Sequence, residues 1–159
     1  MKWLALAIIT GLTAGLLLMA ATAEGKATRI PFTEECYLTP TSPGTWTFPD
    51  GNYHVRDWTL ECAHASDKPQ LVGQLYIVFN ANLDATGSGP TWNTWRLEVE
   101  GGSFEGVSQG KVTGFTTPGQ SGTFRSVGHG TGDYEGQQFF ADGVTIGPLA
   151  TATGYILVP

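Results

Sequence analysis

The sequence predicts an all-β fold, an antiparallel up-and-down barrel of roughly eight strands, with a β-sandwich as the alternative. Glycine is abundant, at 22 of 159 residues, and charged residues make up only 14%. This composition is typical of strands and turns rather than helices. Apolar residues alternate with a period of two in several windows, and no window after residue 24 has a convincing period of 3.6. Short turn segments separate these windows, which favours a meander of antiparallel strands.

The first 23 residues have the form of a secretory signal peptide. Lys2 gives a positive start, residues 3–18 are almost wholly apolar, and Ala21-Thr22-Ala23 is a cleavage site of small residues. Retention as a membrane anchor is the alternative, although the apolar run is marginal in length for a membrane span. The mature chain then spans residues 24–159 as a single domain. We expect it in an extracellular or periplasmic compartment.

The charge of the mature chain excludes several classes of partner. Removal of Lys2 leaves seven basic side chains against 14 acidic ones, a formal charge of −7. The sequence has no basic cluster, so we expect neither nucleic acid nor an anionic membrane surface as a partner. We also expect no membrane insertion once the signal segment has been cleaved.

The mature chain has two cysteines, Cys36 and Cys62. Export places them in an oxidising compartment, so we predict a disulfide between them. Two buried thiols and a metal-binding pair are the alternatives. A metal site needs further ligands at close spacing, and His64 is the one candidate nearby in the sequence.

The predicted strands follow from apolar alternation and are separated by turn residues. Residues 71–83 give the clearest strand, because Leu75 and Ile77 share one face with other small or apolar side chains. Trp92 and Trp95 have opposite parity within one strand, so we expect one of them to be exposed. The other predicted strands span residues 26–38, 45–48, 53–63, 91–99, 107–115, 123–130, 137–144 and 151–158.

A glycine-rich stretch from Gly128 to Phe140 predicts a strand that enters a tight turn and a second strand that leaves it. Gly130, Gly132 and Gly136 are its candidate structural positions. The pattern Gly-x-aromatic-Glu-Gly occurs at residues 102–106 and again at 132–136. This repeat predicts two successive hairpins of the same design.

Gly130-Thr131-Gly132, Tyr134 and Gly136 resemble the G-x-G-x-[FY]-x-G signature of allene oxide cyclase-like and dirigent-like β-barrels. The chain also resembles small secreted bacterial proteins that have a glycine-rich centre and an ending like Gly154-Tyr155-Ile156-Leu157. The resemblance implies an eight-stranded barrel that binds an apolar or phenolic small molecule, which family members cyclise or guide in radical coupling. The matching positions are structural and no catalytic set matches, so the resemblance implies binding without a specific reaction.

Motifs of known chemistry are missing from the sequence. It contains no G-x-S-x-G elbow, no dinucleotide fingerprint and no phosphate-binding loop. The three histidines do not have metal-ligand spacing. Asn80, Asn82 and Asp84 are spaced like calcium ligands, but they read more simply as a polar strand end that runs into a turn. We therefore expect neither a metal nor a cofactor.

Four ionisable residues are candidates for ligand binding. If the face of Trp58 lines the interior, His54 and Arg56 lie ahead of it at a barrel mouth, where they could bind an anionic or carbonyl group. Arg125 and His129 share a face on the strand before the glycine-rich turn and raise the same possibility. A solvated strand end is the alternative for both pairs.

Three functions fit the sequence. The first is a module that binds a small, largely apolar ligand without covalent chemistry. The second is a cyclase or isomerase that shapes an apolar substrate, with Arg56, Glu61 and His129 as catalytic candidates. The third is a structural or envelope-associated protein with a packed interior. The outer face around Tyr76 and Val78 is not strongly polar, which allows a homo-oligomer.

Overall fold

The computed structural model describes residues 26–115 and 117–159. The predicted signal segment therefore lies outside the described residues. No helix in this described part of the chain has the length and apolarity needed to cross a membrane. The ten strands are β1 (Thr28–Tyr37), β2 (Thr39–Ser42), β3 (Thr45–Thr47), β4 (Tyr53–Ser66), β5 (Gly73–Leu83), β6 (Gly89–Val99), β7 (Gly102–Thr113), β8 (Ser121–Gly132), β9 (Gln138–Ile146) and β10 (Leu149–Val158).

Eight of these strands form a closed, barrel-like ring. β4 to β10 pair in chain order, and β1 closes the ring by pairing with both β10 and β4. Every pairing between the strands is antiparallel. The predicted all-β, up-and-down architecture is confirmed, and its closure removes the alternative of a two-sheet sandwich.

The two ends of the ring differ. At one end, which we call the closed end, Leu71, Phe104 and Ile156 are fully buried in an apolar core. At the opposite end, the open end, β1 stops pairing with β10 after Tyr37 meets Leu149. The chain continues as β2 and β3, which pair with β4 alone. One further backbone hydrogen bond, from Leu38 N to the oxygen of Pro148, joins the two sides. Beyond it β2 does not pair with the β9–β10 hairpin, and a cavity opens between them.

The ring closes through a short seam between β1 and β4. This seam comprises the pairs Glu34 with Ser66, Glu35 with Ala65, and Cys36 with His64. The predicted disulfide is confirmed, because Cys36 of β1 is bonded to Cys62 of β4 and their Cα atoms lie 5.8 Å apart. A covalent bond therefore reinforces the shortest pairing in the ring.

A β-bulge in β4 changes which side chains face inward. Val55 pairs with Ala81 and Trp58 pairs with Phe79, so three steps along β4 match two steps along β5. The extra residue is accommodated at Asp57, whose φ of 55° lies in the left-handed region. Both Val55 and Trp58 face inward as a result, although their sequence separation is odd.

The tight turn predicted from the glycine-rich stretch is confirmed. β8 ends at Gly132, whose φ is 63°, and the chain turns back into β9. A Cβ atom at Gly130 would collide with the backbone oxygen and the Cβ atom of Tyr134. Glycine is therefore required at Gly132 by conformation and at Gly130 by the close approach of the turn.

The predicted repeat of two identical hairpins is wrong. Residues 102–106 are extended and belong to β7, whereas residues 132–136 form the turn between β8 and β9. The two segments contact each other instead, since the rings of Phe104 and Tyr134 lie 5.0 Å apart. The same sequence pattern adopts two conformations because Gly132 has a positive φ and Gly102 remains extended within β7.

The parity argument for the two tryptophans of β6 is confirmed. Trp95 faces the interior and is 8% exposed, whereas Trp92 faces outward and is 37% exposed. Trp95 is part of the main apolar core and contacts Phe139, with ring centroids 4.9 Å apart.

Candidate ligand-binding site

A cavity of about 420 Å³ occupies the open end of the ring. It lies where β2 and the β9–β10 hairpin separate, and the β7–β8 loop forms part of its rim. Side chains from inward positions of five further strands line its interior. The principal lining residues are Leu38, Pro40, Trp58, Leu60, Phe79, Thr91, Asn93, Val112, Phe115, Gln120, Phe124, Thr145 and Pro148.

One wall of this cavity is a cluster of aromatic rings. Phe79 and Phe115 are stacked with centroids 5.3 Å apart and an interplanar angle of 7°. Trp58 meets both rings edge to face, at 5.5 and 5.3 Å. Trp46 covers Phe115 from the outside, and its indole N–H donates to the backbone oxygen of Pro43. The wall is preformed, because each ring is held by at least one other.

A small core supports the aromatic wall. Val55 and Ala81 are completely buried, and Leu83 is almost so. Phe79 and Trp58 pack against this cluster. The bulge at Asp57 makes the arrangement possible, because it lets Val55 fill the core while Trp58 faces the cavity.

The polar groups around this cavity are mostly neutral. Thr91, Asn93, Gln120 and Thr145 supply hydroxyl and amide groups. Among the described lining residues, Lys111 alone carries a charge, and its side chain is exposed. The cavity therefore suits an uncharged and largely apolar molecule.

A second, smaller cavity of about 60 Å³ lies deeper in the ring. Phe124 borders both cavities. Its ring crosses the inner surface of β9 at Gly143, where a Cβ atom would collide with it. Several polar residues line the inner cavity: Glu34, His64, Trp95, Ser108 and Ser126.

Glu34 and His64 form a hydrogen-bonded pair on the wall of the inner cavity. His64 Nε2 lies 3.0 Å from Glu34 Oε2, and the two side chains are 3% and 12% exposed. His64 Nδ1 lies 2.6 Å from the backbone oxygen of Leu71. Since a carbonyl oxygen can only accept, Nδ1 carries a proton, and both ring nitrogens are engaged.

The predicted position of His54 and Arg56 at a barrel mouth, on the same face as Trp58, is wrong. Arg56 lies on the outer face, where it donates 2.7 Å to the backbone oxygen of Ala81 and 2.6 Å to Asn82 Oδ1. Its guanidinium lies over the Trp92 ring, 4.8 Å from the centroid. His54 Nδ1 lies 3.5 Å from the same guanidinium. The bulge inverts the parity of β4 between these residues and Trp58, so they do not line the cavity.

The other three candidates also lie on the outer face. His129 Nε2 is 3.4 Å from Glu105 Oε1, and Arg125 donates 2.8 Å to Asp142 Oδ1. The carboxylate of Asp142 raises the pKa of Arg125 above its ordinary value. Glu61 and His129 border a shallow groove on this outer surface. The structure therefore does not bring the predicted catalytic set of Arg56, Glu61 and His129 together at the cavity.

Sequence reasoning missed the pairing of Glu34 with His64 inside the ring, although a signal for the inward position of both was present. Each has the same parity as a neighbouring cysteine two residues away, Cys36 in β1 and Cys62 in β4. A disulfide that joins two inward positions fixes the inward face of both strands. Glu34 and His64 consequently had to face the interior, where polar groups require partners.

Within the described ranges, no group of three histidine, cysteine, aspartate or glutamate side chains is arranged to hold a metal ion. No protein-family model, curated protein or solved structure matches this chain. The resemblance to allene oxide cyclase-like and dirigent-like barrels rests on the glycine motif and stays a prediction.

Proposed function

We propose that this protein binds a small, largely apolar ligand in the cavity at the open end of the ring, without covalent chemistry. The observation that carries the proposal is the aromatic wall of Trp58, Phe79 and Phe115 beside a volume of about 420 Å³. Binding sites for small molecules are concave and mainly apolar, with a few polar groups that orient the ligand. The neutral lining favours an uncharged molecule.

Export is part of the proposal. The Cys36–Cys62 disulfide suits an oxidising compartment, and the first 23 residues have the composition of a signal peptide. An exported carrier would meet its ligand outside the cell or in the periplasm. An apolar molecule there gains by leaving water for a preformed apolar wall.

Titration with the neutral fluorescent probe N-phenyl-1-naphthylamine tests the proposal. We expect saturable binding of one probe per chain with an increase in fluorescence. Thr145→Trp places a large ring in the cavity lining and should weaken binding at least about tenfold, because it fills the space that the probe needs. Val144→Trp is the matched control, since Val144 is the preceding residue of β9 and faces outward, 44% exposed. Equal binding by both variants would refute the assignment of the cavity.

One observation favours a second function, an isomerase that moves a proton on its ligand. Glu34 and His64 are an ionisable pair that faces the interior. Because both nitrogens of His64 are engaged, Glu34 is the group that could remove a proton from the carbon beside a ligand carbonyl and return one to it. Deuterium incorporation into 2-octanone in heavy water tests this. The function requires incorporation faster than in buffer, lost in Glu34→Gln; a rate equal to that of buffer would dismiss it.

A further inference from the structure

A row of polar side chains crosses the interior of the ring. Asn93 of β6 pairs with Ser108 of β7, which in turn pairs with Ser126 of β8. Asn93 lines the cavity at the open end, and the two serines line the inner cavity. Burial of polar groups in an apolar interior costs free energy unless they find hydrogen-bond partners, so native proteins rarely retain such a row without a reason.

Asn93 lies at the floor of the open-end cavity, beside its aromatic wall. Its direct neighbour across β5 and β6 is Phe79, one of the rings of that wall. Thr91 and Asn93 are the lining residues that β6 supplies, and the next inward residue, Trp95, belongs to the main core. Asn93 is half-buried and borders neither the inner cavity nor the groove on the outer surface. Because its side chain points inward, the accessible part of it faces the open-end cavity.

The carboxamide of Asn93 has hydrogen-bonding capacity that its neighbours leave unused. Its Oδ1 accepts from the backbone N–H of Asn80, and its Nδ2 donates to Ser108 Oγ, each at 3.4 Å. Both bonds are longer than the usual distance of about 3 Å. Since a backbone N–H only donates, the contact with Asn80 fixes which end of the carboxamide is the oxygen. A carboxamide can donate twice and accept twice, so within the described part of the chain one N–H and one acceptor position remain.

The two remaining positions of this carboxamide select a neutral polar group. A ligand hydroxyl can accept from the N–H or donate to Oδ1, and a carbonyl oxygen can accept from the N–H. A charged group finds no ion partner at this floor, because Asn93, Thr91 and the aromatic rings are neutral and Lys111 is exposed. Burial of an unpaired charge is far more costly than burial of a neutral oxygen.

We infer that Asn93 determines the specificity of the open-end cavity, through a hydrogen bond between its carboxamide and a neutral hydroxyl or carbonyl group of the ligand. This inference rests on the proposed binding function and names its ligand class: an uncharged molecule with an apolar body and one neutral oxygen. The body lies against Phe79 and Phe115, and the oxygen lies beside Asn93 at the edge of the same wall. The hydrogen bond orients the ligand, as the few polar groups of an apolar site ordinarily do.

The test compares benzyl alcohol with ethylbenzene as competitors of N-phenyl-1-naphthylamine. The two compounds have the same ring and a similar size, and differ by a hydroxyl group in place of a methyl group. Asn93→Leu keeps the branched shape of the side chain and removes its polar atoms, so the ratio of the affinity for benzyl alcohol to that for ethylbenzene should fall roughly fivefold, the equivalent of one ordinary hydrogen bond. The ratio cancels any change of packing common to both ligands. Thr94→Val, which removes a hydroxyl group from the exposed neighbour on the outer face, should leave the ratio unchanged.

A measurement on the wild-type protein makes the test independent of the variant's folding. In a ¹H–¹⁵N NMR spectrum, benzyl alcohol should move the side-chain amide resonances of Asn93 downfield relative to ethylbenzene, whose ring exerts the same ring-current effect. The side-chain amide of Asn82, exposed on the outer face of β5, should respond to neither compound. An unchanged affinity ratio together with equal shifts of Asn93 would overturn the inference while leaving the binding function intact. Failure of every probe to bind would overturn the binding function itself.

Discussion

Nε2 of His64 lies 3.0 Å from Oε2 of Glu34, across the seam that closes the ring between β1 and β4. The same histidine bonds through Nδ1 to the backbone oxygen of Leu71, in the short turn that leads into β5. One buried imidazole thus connects β1, β4 and this turn. We expect the pair to be a main determinant of ring closure.

Removal of one partner of this pair should destabilise the fold strongly. Glu34→Ala leaves the buried His64 without its carboxylate and should lower the free energy of unfolding by about 3 kcal/mol, as for other broken buried pairs. Glu105→Ala is the matched control, because Glu105 pairs with His129 in the open, where the side chains are 42% and 64% exposed. We expect a loss of less than about 1 kcal/mol there. Urea unfolding curves measure both, and equal losses would show that the seam pair has no special role.

The Cys36–Cys62 disulfide should stabilise the protein by restricting the unfolded chain. The bond joins residues separated by 26 positions, so its loss should cost roughly 3 kcal/mol. Unfolding of the double variant Cys36→Ser/Cys62→Ser measures this cost. In the unfolded, unreduced wild type, titration should find no free thiol among the mature cysteines; two free thiols would contradict the bond.

Gly130 lies so close to Tyr134 that a larger residue at position 130 should destabilise the protein. Gly130→Ala adds a Cβ atom that collides with Tyr134, so the free energy of unfolding should fall by more than about 1 kcal/mol. Gly119→Ala places its Cβ in open space, no nearer than 4.0 Å to Thr117 Oγ1, and should be close to neutral. Similar thermal melting of the two variants would remove the steric argument for the turn.

Acid should weaken the turn that follows β5. The Thr86 hydroxyl and the Ser88 N–H donate to the carboxylate of Asp84 and hold its pKa below the ordinary value of 3.8. Because the pKa of Asp84 is lower in the folded state than in the unfolded state, the ionised carboxylate stabilises the fold at pH values above the unfolded-state pKa. That contribution is lost as the pH falls through the folded-state pKa.

Asp84→Asn should therefore reduce the dependence of the melting temperature on pH in the acid range, measured by circular dichroism. Asp50→Asn, in the exposed turn before β4, provides the comparison. A wild-type acid dependence that Asp84→Asn leaves unchanged would contradict the role of Asp84.

The sequence predicted the strands well because alternation and turn residues are local signals. The strand predicted at residues 91–99 is β6, with Trp95 inside and Trp92 outside as parity requires. Composition and strand number favoured an eight-stranded ring and left a two-sheet sandwich open, and the pairing of β1 with β4 decides between them.

The candidate site was less predictable, because it depends on one irregular residue. Parity placed Arg56 near Trp58, but the bulge at Asp57 turned Arg56 outward. No local pattern marks a bulge that uses aspartate rather than glycine. Glu34 and His64 meet across 30 residues of sequence, so only the closure of the ring could bring them together.

The central claim, that the open end of the ring is a ligand site, is tested most directly by crystallography with 1-bromooctane. Crystals of the mature protein soaked in this compound should give an anomalous bromine peak inside the cavity bounded by Trp58, Phe79 and Phe115. Crystals of Thr145→Trp should lack that peak. A wild-type map with no peak in the cavity, or with bromine only on the outer surface, would contradict the account.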